Sequence, residues 1–313
     1  MRQARVLLLI AYLAAGCAYA ASEPYTPEFL AQKERLQQKH ALSIRVQSGG
    51  WGSAKPEEIE AVLYSVAAEM LPHFPGTRLY PMIVSHTHDA PRVLYDRGSK
   101  NEYRVLLTAK DRKWSHYAYE FAHELSHILT NYQHHVNLKM TKHHQWFEET
   151  LCEVASLYAL KMLARSWQNS PPFASWAQHA PEFDAFVLRF LNEPHRNIPT
   201  PLAVWFSEKS DTLQKNPYER KHNEVVANLL LPLFEENPEV WDAIAYLNMA
   251  KPGDNFRDYL LTWRDNAPEQ HRDLIVYLMA LFGMPGDTRL GESPQSDAAS
   301  APSSGAVGRP AAR

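Results

Sequence analysis

The stretch His116-Tyr-Ala-Tyr-Glu-Phe-Ala-His123-Glu124-Leu-Ser-His127-Ile-Leu129 decides how this chain is read, with Trp146-Phe147-Glu148-Glu149-Thr150 following it. Residues 117–121 and 125–129 are apolar and helix-forming. On a helix, residues four apart share a face, so the rings of His123 and His127 can hold one metal ion. Glu124 is placed to reach a water beside that ion rather than the ion itself. Two imidazoles, a carboxylate base and an open coordination position are what zinc-assisted hydrolysis needs. The chain has 15 histidines, so a His-Glu-x-x-His match can arise by accident. Its setting argues otherwise: a strand-like run at residues 103–108 precedes it, and a second, carboxylate-bearing helix follows.

Two histidines need a third ligand. A carboxylate there leaves Zn²⁺ one net positive charge, which brings the pKa of a bound water towards neutrality. Glu148, Glu149 and Glu153 are the candidates on a helix expected at 146–165. Glu149 and Glu153 share a face, whereas Glu148 points elsewhere.

The pair His123-Glu124-x-x-His127 and Trp146-Phe147-Glu148-Glu149-Thr150 resembles the gluzincin group of zinc metallopeptidases. The second segment is similar to the Trp-x-x-Glu-Gly that supplies the third ligand in aminopeptidase N-like enzymes. The resemblance implies His123, His127 and Glu149 on zinc, with Glu124 as general base. It also implies a zincin fold, in which an edge strand lines the substrate groove; residues 103–108 are expected in that place, binding extended peptide by strand addition. Further, it implies a Tyr or His that stabilises the oxyanion, for which Tyr218 and His222 are the candidates. Glu153 is a candidate for holding a ligand histidine by its other ring nitrogen. The resemblance covers about residues 40–165. Thr150 stands where the group has Gly, and no Gly-x-Met-Glu-Asn segment occurs. The metzincin extension is absent, since Thr130 and Gln133 replace its Gly and third His, and so is the aspzincin Gly-Thr-x-x-Asp.

Around this centre the chain reads as α+β. Thr26-Pro27-Glu28 opens a helix to about His40, by hydroxyl cap and first-turn proline. Leu42, Ile44 and Val46 alternate as a strand. Pro56 opens a helix whose Ile59, Val62, Leu63, Val66 and Met70 form one buried stripe. Strands are expected at 79–85, 92–95 and 103–108, then the metal helix at 113–132 with Ser115 or Asp111 near its cap. Residues 131–144 are polar and His-rich, a surface excursion. Beyond Pro171-Pro172 the chain is mostly helical: one helix around Phe183 to Leu191, a Pro-interrupted linker at 194–201, then helices near 218–236, 238–250, 255–264 and 269–283. The expected domain is residues 21–286, with a sheet-containing half at 40–112 and a helical half at 113–286.

Both ends read differently. Arg2 and Arg5, the apolar residues 6–15 and Ala18-Tyr19-Ala20 form a signal peptide cleaved before Ala21. Leu13-Ala14-Ala15-Gly16-Cys17 offers the alternative of a bacterial lipobox, with Cys17 lipidated, though Ala14 replaces the usual larger aliphatic. Residues 287–313 are Ser-, Ala-, Pro- and Gly-rich and read as a disordered tail. The expectation is an exported periplasmic or secreted protein, at a membrane only if lipidated. The 313 residues carry a net charge of −3 with pI ≈ 6.6, which speaks against a nucleic-acid partner. Cys17 and Cys152 are the two cysteines; Cys152, in an apolar helical pattern, reads as a buried inert thiol.

Other signals have plainer readings. His86-Thr87-His88-Asp89 suits an amidohydrolase-like metal site, or a polar loop near a groove. His134, His135, His143 and His144 read as exposed loop histidines. His116 and Glu120 share a face with His123 and either support the site or face solvent. The expected activity is zinc-dependent hydrolysis of peptides or proteins; the alternatives are a catalytically silent zincin-like binding protein and a hydrolase using His86 and His88.

Overall fold

A computed structural model describes residues 23–131 and 144–284. The expected signal segment with Cys17, the histidines at 134, 135 and 143, and residues 287–313, expected as a tail, lie outside the described residues.

Thr26 caps the first helix, α1 (Pro27–His40), its hydroxyl accepting the Phe29 N–H at 3.3 Å. The same hydroxyl donates to the Pro171 carbonyl at 2.7 Å, so the beginning of the described chain is fastened to the helical half. β1 (Ile44–Val46) and α2 (Pro56–Met70) follow, then β2 (Met82–His86), β3 (Arg92–Leu94) and β4 (Tyr103–Leu107). The expected stripe of α2 is buried, and Ala61, Tyr64 and Ala67 are buried with it. Helix α2 is covered on several sides, because it packs against β1, α1 and the two long helices of the metal motif.

The four strands form one mixed sheet in the order β1-β2-β4-β3. β1, β2 and β4 are parallel; β3 runs antiparallel to β4, with Val93 opposite Val105. The edges are therefore β1 and β3, and β4 lies inside the sheet, which corrects the expectation that residues 103–108 are an edge. The cause is local. A turn bonded by Gly98 N–H to Glu102 O at 2.9 Å, with Asn101 at φ 64°, folds β3 back along β4 as a hairpin. In β4, Tyr103, Val105 and Leu107 are buried on one face.

Helices α3 (Trp114–Leu129) and α4 (Gln145–Ser166) pack along each other behind the sheet. Helix α4 is buried almost all round, as a helix without a polar face must be. Its Phe147, Leu151 and Leu157 are fully buried, and each such side chain stabilises the fold by ~1.5–3 kcal/mol. The helical half adds α5 (Ala180–Leu191), α6 (Leu202–Lys215), α7 (Arg220–Glu236), α8 (Phe256–Asn266) and α9 (Arg272–Leu281). Helix α6 was not anticipated, although Leu202, Trp205, Phe206 and Leu213 form a buried helical face. The helix expected at 238–250 is instead a run of 3₁₀ turns, Pro238–Tyr246. No helix among the described residues is long and apolar enough to cross a membrane.

Candidate metal centre

Helix α3 carries His123, Glu124 and His127; α4 carries Glu148, Glu149, Cys152 and Glu153. Their packing brings one Glu149 oxygen to 3.2 Å from His123 Nε2 and 3.6 Å from His127 Nε2. The two rings lie 5.0 Å apart at 70°. Two imidazole nitrogens and a carboxylate oxygen thus converge on one point, a donor set that suits zinc. Burial opposes the charged form of Glu149, yet His127 and His123 hold its carboxyl well below the ordinary range.

The tautomer of His127 is set from behind. Its Nδ1 donates to Glu148 Oε1 at 2.7 Å, so in the neutral ring the lone pair is on Nε2, which faces the Glu149 side. Glu148 is fully buried. It also accepts from Thr130 Oγ1 at 3.1 Å and from Asn248 Nδ2 at 2.8 Å, and Asn248 in turn accepts from Tyr259 OH at 2.8 Å. The support expected of Glu153 therefore comes from Glu148. One residue of helix rotation turns Glu148 away from the cavity and onto the rear of His127. Glu153 instead accepts from Tyr119 OH, in a short contact, and from Arg196 Nη2 at 2.7 Å.

A cavity of about 240 Å³ opens beside this cluster, lined by His123, Glu124 and Glu149. Glu124 is 3% exposed. Burial raises its carboxyl pKa; His123 and His127 oppose that, Glu149 adds to it, and the nearby Val93 backbone of β3 lowers it. Edge strand β3 thus borders the site, and Ala90 and Pro91 line the cavity just before it.

Tyr218 also lines the cavity. Its hydroxyl accepts from Gln145 Nε2 at 3.0 Å, and Gln145 reaches Glu149 Oε1 at 3.3 Å. His222 does not line it; its ring packs edge-on to Trp205 at 5.7 Å. Tyr218 also lies outside the helix expected near 218–236, because α7 starts at Arg220.

The opposite wall is a polar network that the sequence reading missed. Arg196, 0% exposed, bonds Glu153 and lies 3.3 Å from Glu224. Arg220 donates from Nε to Glu224 at 2.8 Å and from Nη2 to Tyr119 OH at 2.7 Å. Tyr119, Glu153, Arg196, Arg220 and Glu224 share no motif, and Arg196 falls in the expected linker at a 3₁₀ turn, Pro194–Arg196.

The remaining histidines separate clearly. His86 and His88 meet edge to face with ring centres 4.9 Å apart, and His86 is also edge-on to Trp51. Among the described residues they join no group of three metal-binding side chains. Glu193, His195 and Glu224 do form such a group, but the Arg196 guanidinium already lies 3.5 Å from Glu193 and 3.3 Å from Glu224. His144 is not an exposed loop histidine: it is buried, bonded to the Asp254 carbonyl at 2.8 Å and packed on Phe256 and Tyr259. Glu120 accepts the Thr108 and Ala109 N–H groups at 2.7 and 3.1 Å, which ties the end of β4 to α3. His116 packs on Phe186. Comparison with protein-family models and with curated proteins finds no match for this chain.

Proposed function

We propose that the protein is a zinc-dependent peptidase of zincin type, with His123, His127 and Glu149 as ligands and Glu124 as general base. The observation that carries the reading is the convergence of the two histidine Nε2 atoms on one Glu149 oxygen, with Glu124 beside them in an open cavity. When bound there, zinc supplies Lewis-acid polarisation of the scissile carbonyl and makes water a better nucleophile.

The chain's own groups do the rest. Glu148 fixes the His127 ring, so one nitrogen always faces the ion. Glu124 takes a proton from the attacking water and passes it to the leaving amine, and its raised pKa brings it closer to that double task. Tyr218 donates its phenolic hydrogen to the carbonyl oxygen as charge builds there. Edge strand β3, bordering the cavity, is the strand along which an extended peptide lies, placing the scissile bond near Glu124. The expected export signal makes extracytoplasmic peptides or proteins the substrate.

The test is a peptide-library digest by the zinc-loaded mature protein and by Glu124→Gln. Loss of a general base lowers the rate by about 10²–10⁴-fold, and zinc content should not change. Equal cleavage by both proteins would refute the assignment.

A further inference from the structure

Cys152 has no part in the mechanism above, yet it lies against the same cluster. It follows Glu149 by one turn of α4, is fully buried and has no disulfide. Its sulfur and one ring nitrogen from each of His123 and His127 all lie within 4.8 Å of one another. A thiol that only fills core volume would face apolar side chains. This one faces two imidazoles whose Nε2 atoms already meet Glu149.

We propose that Cys152 is a further ligand of the ion held by His123, His127 and Glu149, so that four protein donors close the resting centre. The proposal rests on the zinc-site reading. Zinc sites with four protein ligands are closed, whereas catalytic sites keep one position for water or substrate. The resting protein is therefore latent, and it opens when the sulfur leaves. On closing, the S–H bond breaks, the proton passes to solvent, and the sulfur lone pair forms the metal–sulfur bond. Opening reverses these changes, and no electron is transferred. A thiolate in the set also favours zinc over magnesium, calcium or manganese.

The experiment replaces zinc by cobalt(II) in the mature protein and reads the near-ultraviolet sulfur-to-cobalt charge-transfer band without substrate. The proposal expects that band in the wild type and its loss in Cys152→Ser, which keeps its cobalt through the other three ligands. It also expects Glu149→Gln to retain both cobalt and band, since two histidines and the thiolate remain. In the zinc forms, Cys152→Ser should raise kcat/KM. The wild-type spectrum needs no variant to fold, and circular dichroism checks the two that are used. Bound cobalt without the band in the wild type overturns the proposal, whether or not peptides are cleaved. A band in the wild type with no hydrolysis by the zinc form of Cys152→Ser supports the Cys152 ligand and sinks the peptidase reading instead. Failure of the wild type to bind cobalt overturns both.

Discussion

Replacing Glu148 with alanine removes the acceptor behind His127 without touching any proposed metal ligand. Among the described residues, His127 Nδ1, Thr130 Oγ1 and Asn248 Nδ2 lose an acceptor in a fully buried place. Thr130 Oγ1 keeps the His127 carbonyl at 3.0 Å, and Asn248 Nδ2 keeps the Thr130 carbonyl at 3.3 Å. The main loss therefore falls on His127 Nδ1, whose 2.7 Å bond disappears, at a folding cost of ~1–3 kcal/mol. Free of its anchor, the ring also loses its tautomer and orientation, and such a change weakens metal binding about 10–100-fold. That corresponds to ~1.4–2.8 kcal/mol. Glu148→Gln should fall at the low end. Its carbonyl can still accept from His127 and Thr130, and its amide faces Asn248, whose own amide can turn over. The assay is competition for zinc against a chelating indicator, with thermal unfolding of the metal-free proteins alongside. A folded Glu148→Ala protein that binds zinc as tightly as wild type would refute the reasoning.

Further outcomes follow from other parts of the site. Arg196→Met leaves the buried Glu153 carboxylate without its guanidinium, and losing one partner of a buried pair costs ~3–5 kcal/mol; an unchanged denaturation midpoint would contradict this. Tyr218→Phe should lower kcat by about 10²-fold with zinc content intact, whereas His222→Ala, outside the cavity, should leave turnover unchanged. Burial pulls the His127 pKa down, but Cys152, Glu149 and Glu148 together hold it well above the ordinary imidazole value. Zinc needs the neutral ring, so metal and proton compete there. Apparent zinc affinity should therefore keep climbing with pH beyond the ordinary imidazole range, whose midpoint is about 6.5, and a profile that levels off at or below that midpoint would count against zinc at His127.

Much of the local structure is legible in the sequence because it depends on near neighbours. The Thr26-Pro27 start of α1, the buried stripe of α2 and the i, i+4 pairing of His123 with His127 are all written within a few residues. So is the placing of Glu149, on the next helix and on the face shared with Glu153. What escapes the reading depends on how distant segments meet. The 92–94 run reads as a strand, but its place at the edge follows from the hairpin turn at 98–102. Glu148 supports His127 only because α3 and α4 cross as they do and Asn248 closes behind it, 100 residues later. Arg196 reads as part of a linker because nothing near it names Glu153 and Glu224 as its partners. Helix α6 is hidden by the prolines at 194–201, although its apolar spacing is present.

The central claim is that one zinc ion is held between α3 and α4. Its most direct test is metal content by mass spectrometry of the purified mature protein beside His127→Ala. About one zinc per chain, as a mononuclear site of this type requires, with loss in the variant, is the predicted result. No zinc in the wild type, or the same amount in the variant, would contradict the account.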